Sequence, residues 1–421
     1  MDERKVRRGA TPTALILLLG LAILLGEYAL LRFGGWWGEG DTAAFTKNIA
    51  ILIESGELIN NVEAYQHGYG YPVLASWLIT FTELPVGALQ IAGGMLLMGW
   101  MVVPAWLAYR ELTQSELAAS FSALILLIQP ELLFPLLRGT HEKFTRGLMF
   151  ICLYLLLRSL RSRGVRLSGV LVICFYLCAY AMICFNAFMA TSFILSILVA
   201  LGLVWAAGRW KTKTRPAGRP VVSKLIYVAA SLQVIAFIFV FYAYPPAQRL
   251  MGTLIGVGDR LAMLALQVEE IASNPYQVVN RGWISTPVYW LVSLANWILL
   301  GGSLGIWLKQ SYAWLLKRSV QLAWHDMLLW AFYAAFAFLG FISILVDMSG
   351  AIAANLQHRM FPSFVMLAAP VAGAWLAQIK PVKEKRAKST WARVSILLGT
   401  LMVLSVFKAT NEPLLSNTWL F

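Results

Sequence analysis

Charge is almost absent from long stretches of this chain and returns in the gaps between them, and that alternation leaves few folds open. Apolar runs lie near 12–33, 86–108, 117–137, 144–158, 168–184, 189–207, 222–243, 287–307, 327–346, 360–379 and 391–408. Most approach the roughly 20 residues that cross about 30 Å of hydrocarbon as a helix. Of 421 residues, 59% are hydrophobic and only 13% charged, against about 25% charged in soluble domains. The expectation is an all-α, polytopic membrane protein with about eleven transmembrane helices in one integral membrane domain, 1–421. The run at 144–158 is short, the neighbouring runs on either side of Asn186 divide there, and residues 72–82 form a further partial segment.

Lys and Arg number 34 against 20 Asp and Glu. Because the basic residues fall mostly between apolar runs, they read as topology signals and not as a nucleic-acid-binding stripe. A cytoplasmic N-terminus, with Arg4, Lys5, Arg7 and Arg8, brings Arg158, Arg161, Arg163 and Arg166 to the same side by alternation. Arg209 to Lys224, Lys309 to Arg318 and Lys380 to Lys388 follow them. The chain is thus expected in the plasma (inner) membrane, with contact to anionic lipid at its cytoplasmic surface. The first run lacks a small-residue cleavage site and reads as a retained helix.

The opposite, extracytoplasmic face receives 34–85, 138–143, 244–286 and 347–359. The first loop, 34–85, is too long to be a mere connector. The large loop 244–286 contains LAMLALQVEEIA, which has the pattern of an interfacial helix. Both loops are expected to be partly helical. Cys152, Cys174, Cys178 and Cys184 lie in or at the ends of apolar runs and read as packed thiols. Four histidines without HExxH, and cysteines without CxxC, argue against a histidine- or cysteine-based metal centre.

Acids open the first loop, in WWGEGDTAAF (36–45). Ala44, Phe45, Ile49, Leu52 and Ile53 have helical spacing, so a helix beginning near Asp41 or Thr42 is expected. Asp41 either caps that helix or accepts a proton from an incoming hydroxyl. Glu39, across Gly40, either positions that group or shares a divalent cation with it, since Mg²⁺ or Mn²⁺ takes oxygen ligands alongside phosphate. In RGTHEKFTR (138–146), Arg138, Lys143 and Arg146 offer cations for a phosphate leaving group, with His141 and Glu142 between them; the alternative is lipid-headgroup anchoring. NLQHRMFPSF puts His358 and Arg359 just before a span, where Arg359 suits a phosphate and His358 a weaker contact or proton donor. YQHGYGYPVLASW supplies Tyr65, Tyr69 and Tyr71, which can stack on a sugar or simply sit at the interface.

Together these segments resemble the GT-C fold of lipid-sugar-dependent membrane glycosyltransferases, which includes protein O-mannosyltransferases, aminoarabinose transferases and oligosaccharyltransferases. The opening is similar to that family's acidic first-loop motif, and Asp41 holds its catalytic position, with Phe45 where an aromatic is common and GELINN where the helix turns outward. GYGYPVLASWL is similar to the proline-containing start of the next segment, and QHRMFPSFVMLAAPVAGAWL to the late span preceded by an arginine. The likeness covers about the first 160 residues and 340–380. Many members carry Asp-Glu where this chain has Asp41-Thr42, so Glu39 replaces the second acid by proximity only. No WWDYG-type signature is present, which makes peptide N-glycosylation a poor match.

The resemblance implies an inverting glycosyltransferase that takes a polyprenyl-phosphate or polyprenyl-diphosphate sugar at the extracytoplasmic face. Asp41 would deprotonate a hydroxyl of a glycan, lipid or protein acceptor, while Arg359, helped by Arg138 or Lys143, stabilises the departing phosphate. No cofactor is obligatory beyond a candidate Mg²⁺ or Mn²⁺. Rival readings are a lipid-linked oligosaccharide flippase, which would favour clearer repeats and buried midplane charges, an O-antigen ligase or polymerase, and a non-catalytic scaffold.

Overall fold

The computed structural model describes residues 3–32, 40–57, 68–90, 97–162, 165–210, 286–316, 323–348, 356–379 and 384–415, and four single positions between 256 and 262. Every regular element among the described residues is helical. The helices are α1 (Glu3–Arg32), α2 (Gly40–Ser55), α3 (Gly70–Thr82), α4 (Val102–Thr113), α5 (Glu116–Leu127), α6 (Pro130–Leu137) and α7 (Glu142–Arg161). They continue as α8 (Val165–Phe185), α9 (Ala187–Trp210), α10 (Thr286–Val292), α11 (Leu294–Ser311), α12 (Trp324–Met348), α13 (Leu356–Ala377) and α14 (Glu384–Leu415).

Six of these, α1, α8, α9, α12, α13 and α14, are long and apolar enough to cross a membrane, or seven spans if the bent pair α5 and α6 counts as one. The expected span at 222–243 and the large loop 244–286, apart from a few single positions, lie outside the described residues. The run at 86–108 is not one helix: a single turn at Val86–Ala88 and a 3-10 turn at Leu97–Met101 precede α4. Pro85 fixes the entry to the first of these, and Gly87 weakens its continuation. The first loop is partly helical, as expected, through α2 and α3.

Local chemistry sets the breaks. The Ser115 side chain accepts the Ala118 N–H at 3.2 Å and caps α5. Pro130 ends the α5 ladder because it has no N–H, and α6 leaves at 70°. Gln129 covers the break by donating its side-chain amide to the Ile125 carbonyl at 3.0 Å. Between α8 and α9 the Asn186 carbonyl oxygen accepts the Met189 N–H at 2.8 Å, restarting the helix within one residue.

Helices α4, α5, α7, α9, α12 and α13 make the central core. In α13 72% of the membrane-length window is buried, against 11% in α14 and 22% in α8, so the latter two lie on the outside. The Tyr109 hydroxyl of α4 donates to the Met366 carbonyl of α13 at 2.7 Å, tying two core helices where no water can substitute. Helices α4 and α7 run side by side in the same direction: Trp100 before α4 packs on Gly147, and Glu111 near the end of α4 meets Arg158 and Arg161 near the end of α7. One end of α7 is therefore closed by Glu111, and the other opens on the 138–141 turn.

Candidate active site

Helix α2 starts one residue before Asp41, which stands in its first turn, where a carboxylate complements the free amides. The Asp41 side chain is 61% exposed, and its carboxylate pairs with the guanidinium of Arg138, itself only 12% exposed. Arg138 ends α6, lies over the Phe134 ring at 5.0 Å and stands 3.9 Å from the Glu142 carboxylate. The acid at the head of α2 and the cation at the end of α6, 97 positions apart, thus form one unit.

Thr42 is buried, and its hydroxyl accepts the Gly139 N–H at 3.1 Å. It latches α2 to the turn that carries Arg138. The turn fits so closely that a Cβ at position 139 would stand 2.6 Å from the Gln90 carbonyl oxygen and 2.8 Å from Thr42 Cγ2. Gln90 donates from Nε2 to the Gly139 carbonyl at 2.9 Å and accepts the Tyr71 hydroxyl at Oε1. Beneath this network Phe45, Ile49, Tyr71, Ala75 and Ile79 pack with Phe144 and Phe185, the Phe45 and Tyr71 rings edge to face at 5.3 Å.

Behind Arg138, Lys143 is fully buried and its ammonium donates to the Arg138 carbonyl at 2.6 Å. Loss of hydration pulls the lysine down to about 7, against the opposing pull of Glu142. His141 is buried beside Phe45, with Nε2 2.7 Å from the side-chain amide nitrogen of Asn186. Because that amide donates, Nε2 is the acceptor and the proton of the neutral ring belongs on Nδ1. Arg146, one turn further along α7, donates to the Ser363 hydroxyl of α13 at 2.9 Å. Position 359 lies one helical turn before Ser363 on the same face of α13.

The residues anticipated from sequence therefore divide. Asp41, Arg138, His141, Glu142 and Lys143 come together around one turn. Tyr71 lies in the core below, with its hydroxyl committed to Gln90, and this is a correction to an acceptor-stacking role. Tyr69 precedes α3 and is half-buried. Glu39 and Tyr65 lie outside the described residues, and of His358 and Arg359 only the backbone, in the first turn of α13, is described. Thr42, Gln90, Gly139, Asn186 and Ser363 were not anticipated; the lone polar residues Gln90 and Asn186 within apolar runs were the available signal.

No group of His, Cys, Asp or Glu suited to a metal ion occurs among the described residues. A guanidinium on the Asp41 carboxylate also repels a cation there. The described donors do not fit a divalent ion, and no step below runs through one.

By sequence, no family model matches the chain and no curated protein matches it significantly. By structure, it is similar to the oligosaccharyltransferase of the archaeon Archaeoglobus fulgidus. In the apo form the TM-score is 0.60 at 12% identity, over 94% of this chain and 56% of that one. The same enzyme, AglB, in complex with an inhibitory peptide and a dolichol-phosphate gives 0.57 at 12% identity, over 94% and 56%. Its complex with Zn and sulfate gives 0.56 at 14% identity, over 93% and 53%. The chain spans just over half the length of these neighbours. The likeness extends over nearly all of this chain, and with the apolar helices it makes the chain an integral membrane protein with the GT-C fold.

Proposed function

We propose that the protein is an inverting glycosyltransferase that moves a sugar from a polyprenyl-phosphate or polyprenyl-diphosphate to a hydroxyl acceptor. The observation that carries this reading is the exposed Asp41 carboxylate at the start of α2, held by Arg138 from the following outer turn within a GT-C fold. The dolichol-phosphate in one structure of the archaeal enzyme supports a donor of the polyprenyl-phosphate class. The acceptor is a glycan, lipid or protein hydroxyl. The charge pattern of the connectors supports an active site on the extracytoplasmic face of the plasma membrane and a cytoplasmic N-terminus.

In this mechanism Asp41 takes the acceptor hydroxyl proton as the oxygen attacks the anomeric carbon. The new C–O bond forms opposite the departing phosphate, the old anomeric C–O bond breaks, and the configuration inverts. The bond electrons leave with the phosphate, whose charge is met by Lys143 and Arg359. Arg138 keeps Asp41 aimed while the acceptor enters. Lys143 in its neutral form costs little to bury, and an arriving phosphate draws a proton onto it.

The test is a transfer assay with purified protein in nanodiscs and a panel of short-chain polyprenyl-phosphate sugars, with water scored as an acceptor. Wild type should turn over and Asp41→Asn should not, with normal insertion of both. Wild-type turnover in Asp41→Asn sinks the assignment. Flipping of a lipid-linked glycan without cleavage would favour the transporter.

A further inference from the structure

We propose that the ion pair between the buried Lys408 and the partly exposed Glu131 is a positioning device that aims Arg138 at Asp41 from outside the site; the inference rests on Asp41 and Arg138 being the working pair of a transferase.

Lys408 stands near the end of α14, is 1% exposed, and donates to the Glu131 carboxylate in the first turn of α6. A charge pair inside an apolar helix bundle costs desolvation that its own attraction need not repay, and well-packed apolar residues often serve stability as well. What the pair grips is informative. Helix α6 has only eight residues, leaves α5 at 70°, and has lost the continuous backbone ladder that would fix its direction. Its C-terminal neighbour is Arg138. Glu131 and Arg138 are seven positions apart, two helical turns or about 10 Å, so a small rotation at one end sweeps the guanidinium away from Asp41. Buried Leu132, Leu133, Leu136 and Leu137 hold α6 in the core, but apolar packing tolerates sliding that a directed hydrogen bond does not. Helix α14 lies on the outside of the bundle, so the brace joins a peripheral helix to the centre of the site.

The decisive variant replaces the pair by apolar residues, Glu131→Leu with Lys408→Met. Thermal stability is expected to stay at the wild-type level or rise, while turnover drops roughly 10- to 100-fold, the scale of a slight misplacement. In an Arg138→Ala background the same double replacement is expected to cost nothing further, because the group it aims is gone. Wild-type turnover in the double variant, or a loss that adds in full to that of Arg138→Ala, overturns the proposal. Glu131→Gln, nearly isosteric, takes its place if the double variant does not insert. A readout independent of transfer is the dipolar broadening between spin labels on Asp41→Cys and Arg138→Cys, with the four native cysteines replaced. Removing the brace should widen that distance distribution, and an unchanged distribution overturns the proposal even if no sugar donor is ever found. Absence of transfer by wild type, with the broadening lost on removing the brace, would sink the transferase reading and leave the brace standing.

Discussion

The two ends of α7 carry similar charges and use them differently. At the far end Arg158 and Arg161 converge on one carboxylate, Glu111, with Arg161 at 2.7 Å and Arg158 at 3.5 Å. At the near end Arg138, Lys143 and Arg146 gather with Asp41 and Glu142, and Asp41 opens to solvent. The far end encloses the Glu111 carboxylate, 11% exposed, between two cations. The near end keeps its cations and Glu142 in the core and Asp41 at the surface. A closed cluster fastens helices together, whereas cations gathered behind an accessible acid are the arrangement on which the proposed transfer rests.

The contrast breaks most simply at its acid. Asp41→Asn should cut transfer by about 10²- to 10⁴-fold, the usual contribution of a positioned general base, with insertion unchanged in a thermal-shift assay. Next comes the turn: Gly139→Ala forces a Cβ against the Gln90 carbonyl, so the loop must shift and carry Arg138 with it. Turnover should fall by about 10²-fold, measured beside Gly169→Ala, where an added Cβ meets nothing.

A smaller effect concerns pH. Lys143 is held near 7 in the folded protein against an ordinary 10.5, so between those values the unfolded chain binds the extra proton and stability rises with pH. Donor binding should run the other way: it needs the charged lysine, takes up a proton, and weakens by up to about tenfold per pH unit above about 7. Calorimetry in two buffers of different ionisation enthalpy reads that uptake, and Lys143→Arg should abolish it. The smallest functional effect belongs to the far end. Glu111→Ala should destabilise by about 2 kcal/mol, from lost charge-assisted hydrogen bonds, and leave turnover per folded molecule unchanged. A larger effect on turnover than on stability would erase the distinction between the two ends.

Much of this was legible from the order of residues. Long apolar runs declared the helical membrane bundle, the spacing from Ala44 to Ile53 anticipated α2, and the polar Asn186 marked the division of α8 from α9. The 138–146 cluster was visible as a unit because its members are neighbours in the chain. Its long-range partners were not: nothing local says that Thr42 will latch Gly139 or that Lys408 will reach Glu131, 277 positions away. The run at 86–108 gave no sign of its change of helix type, because hydropathy records burial and not which turn the backbone takes. Tyr71 misled for a related reason. A tyrosine between a glycine and a proline has the same appearance whether its ring meets a sugar or, as here, Phe45 and Phe144.

The single residue between α8 and α9 has a mechanical consequence. Asn186 restarts α9 with its carbonyl oxygen and touches His141 with its amide nitrogen, so one side chain serves as both hinge pin and sensor arm. Spans answer a change of bilayer thickness by tilting, and α8, with most of its surface facing outward, is exposed to that force. A shift of α8 against α9 would therefore be felt first at the imidazole beside Phe45, and so at the helix that carries Asp41.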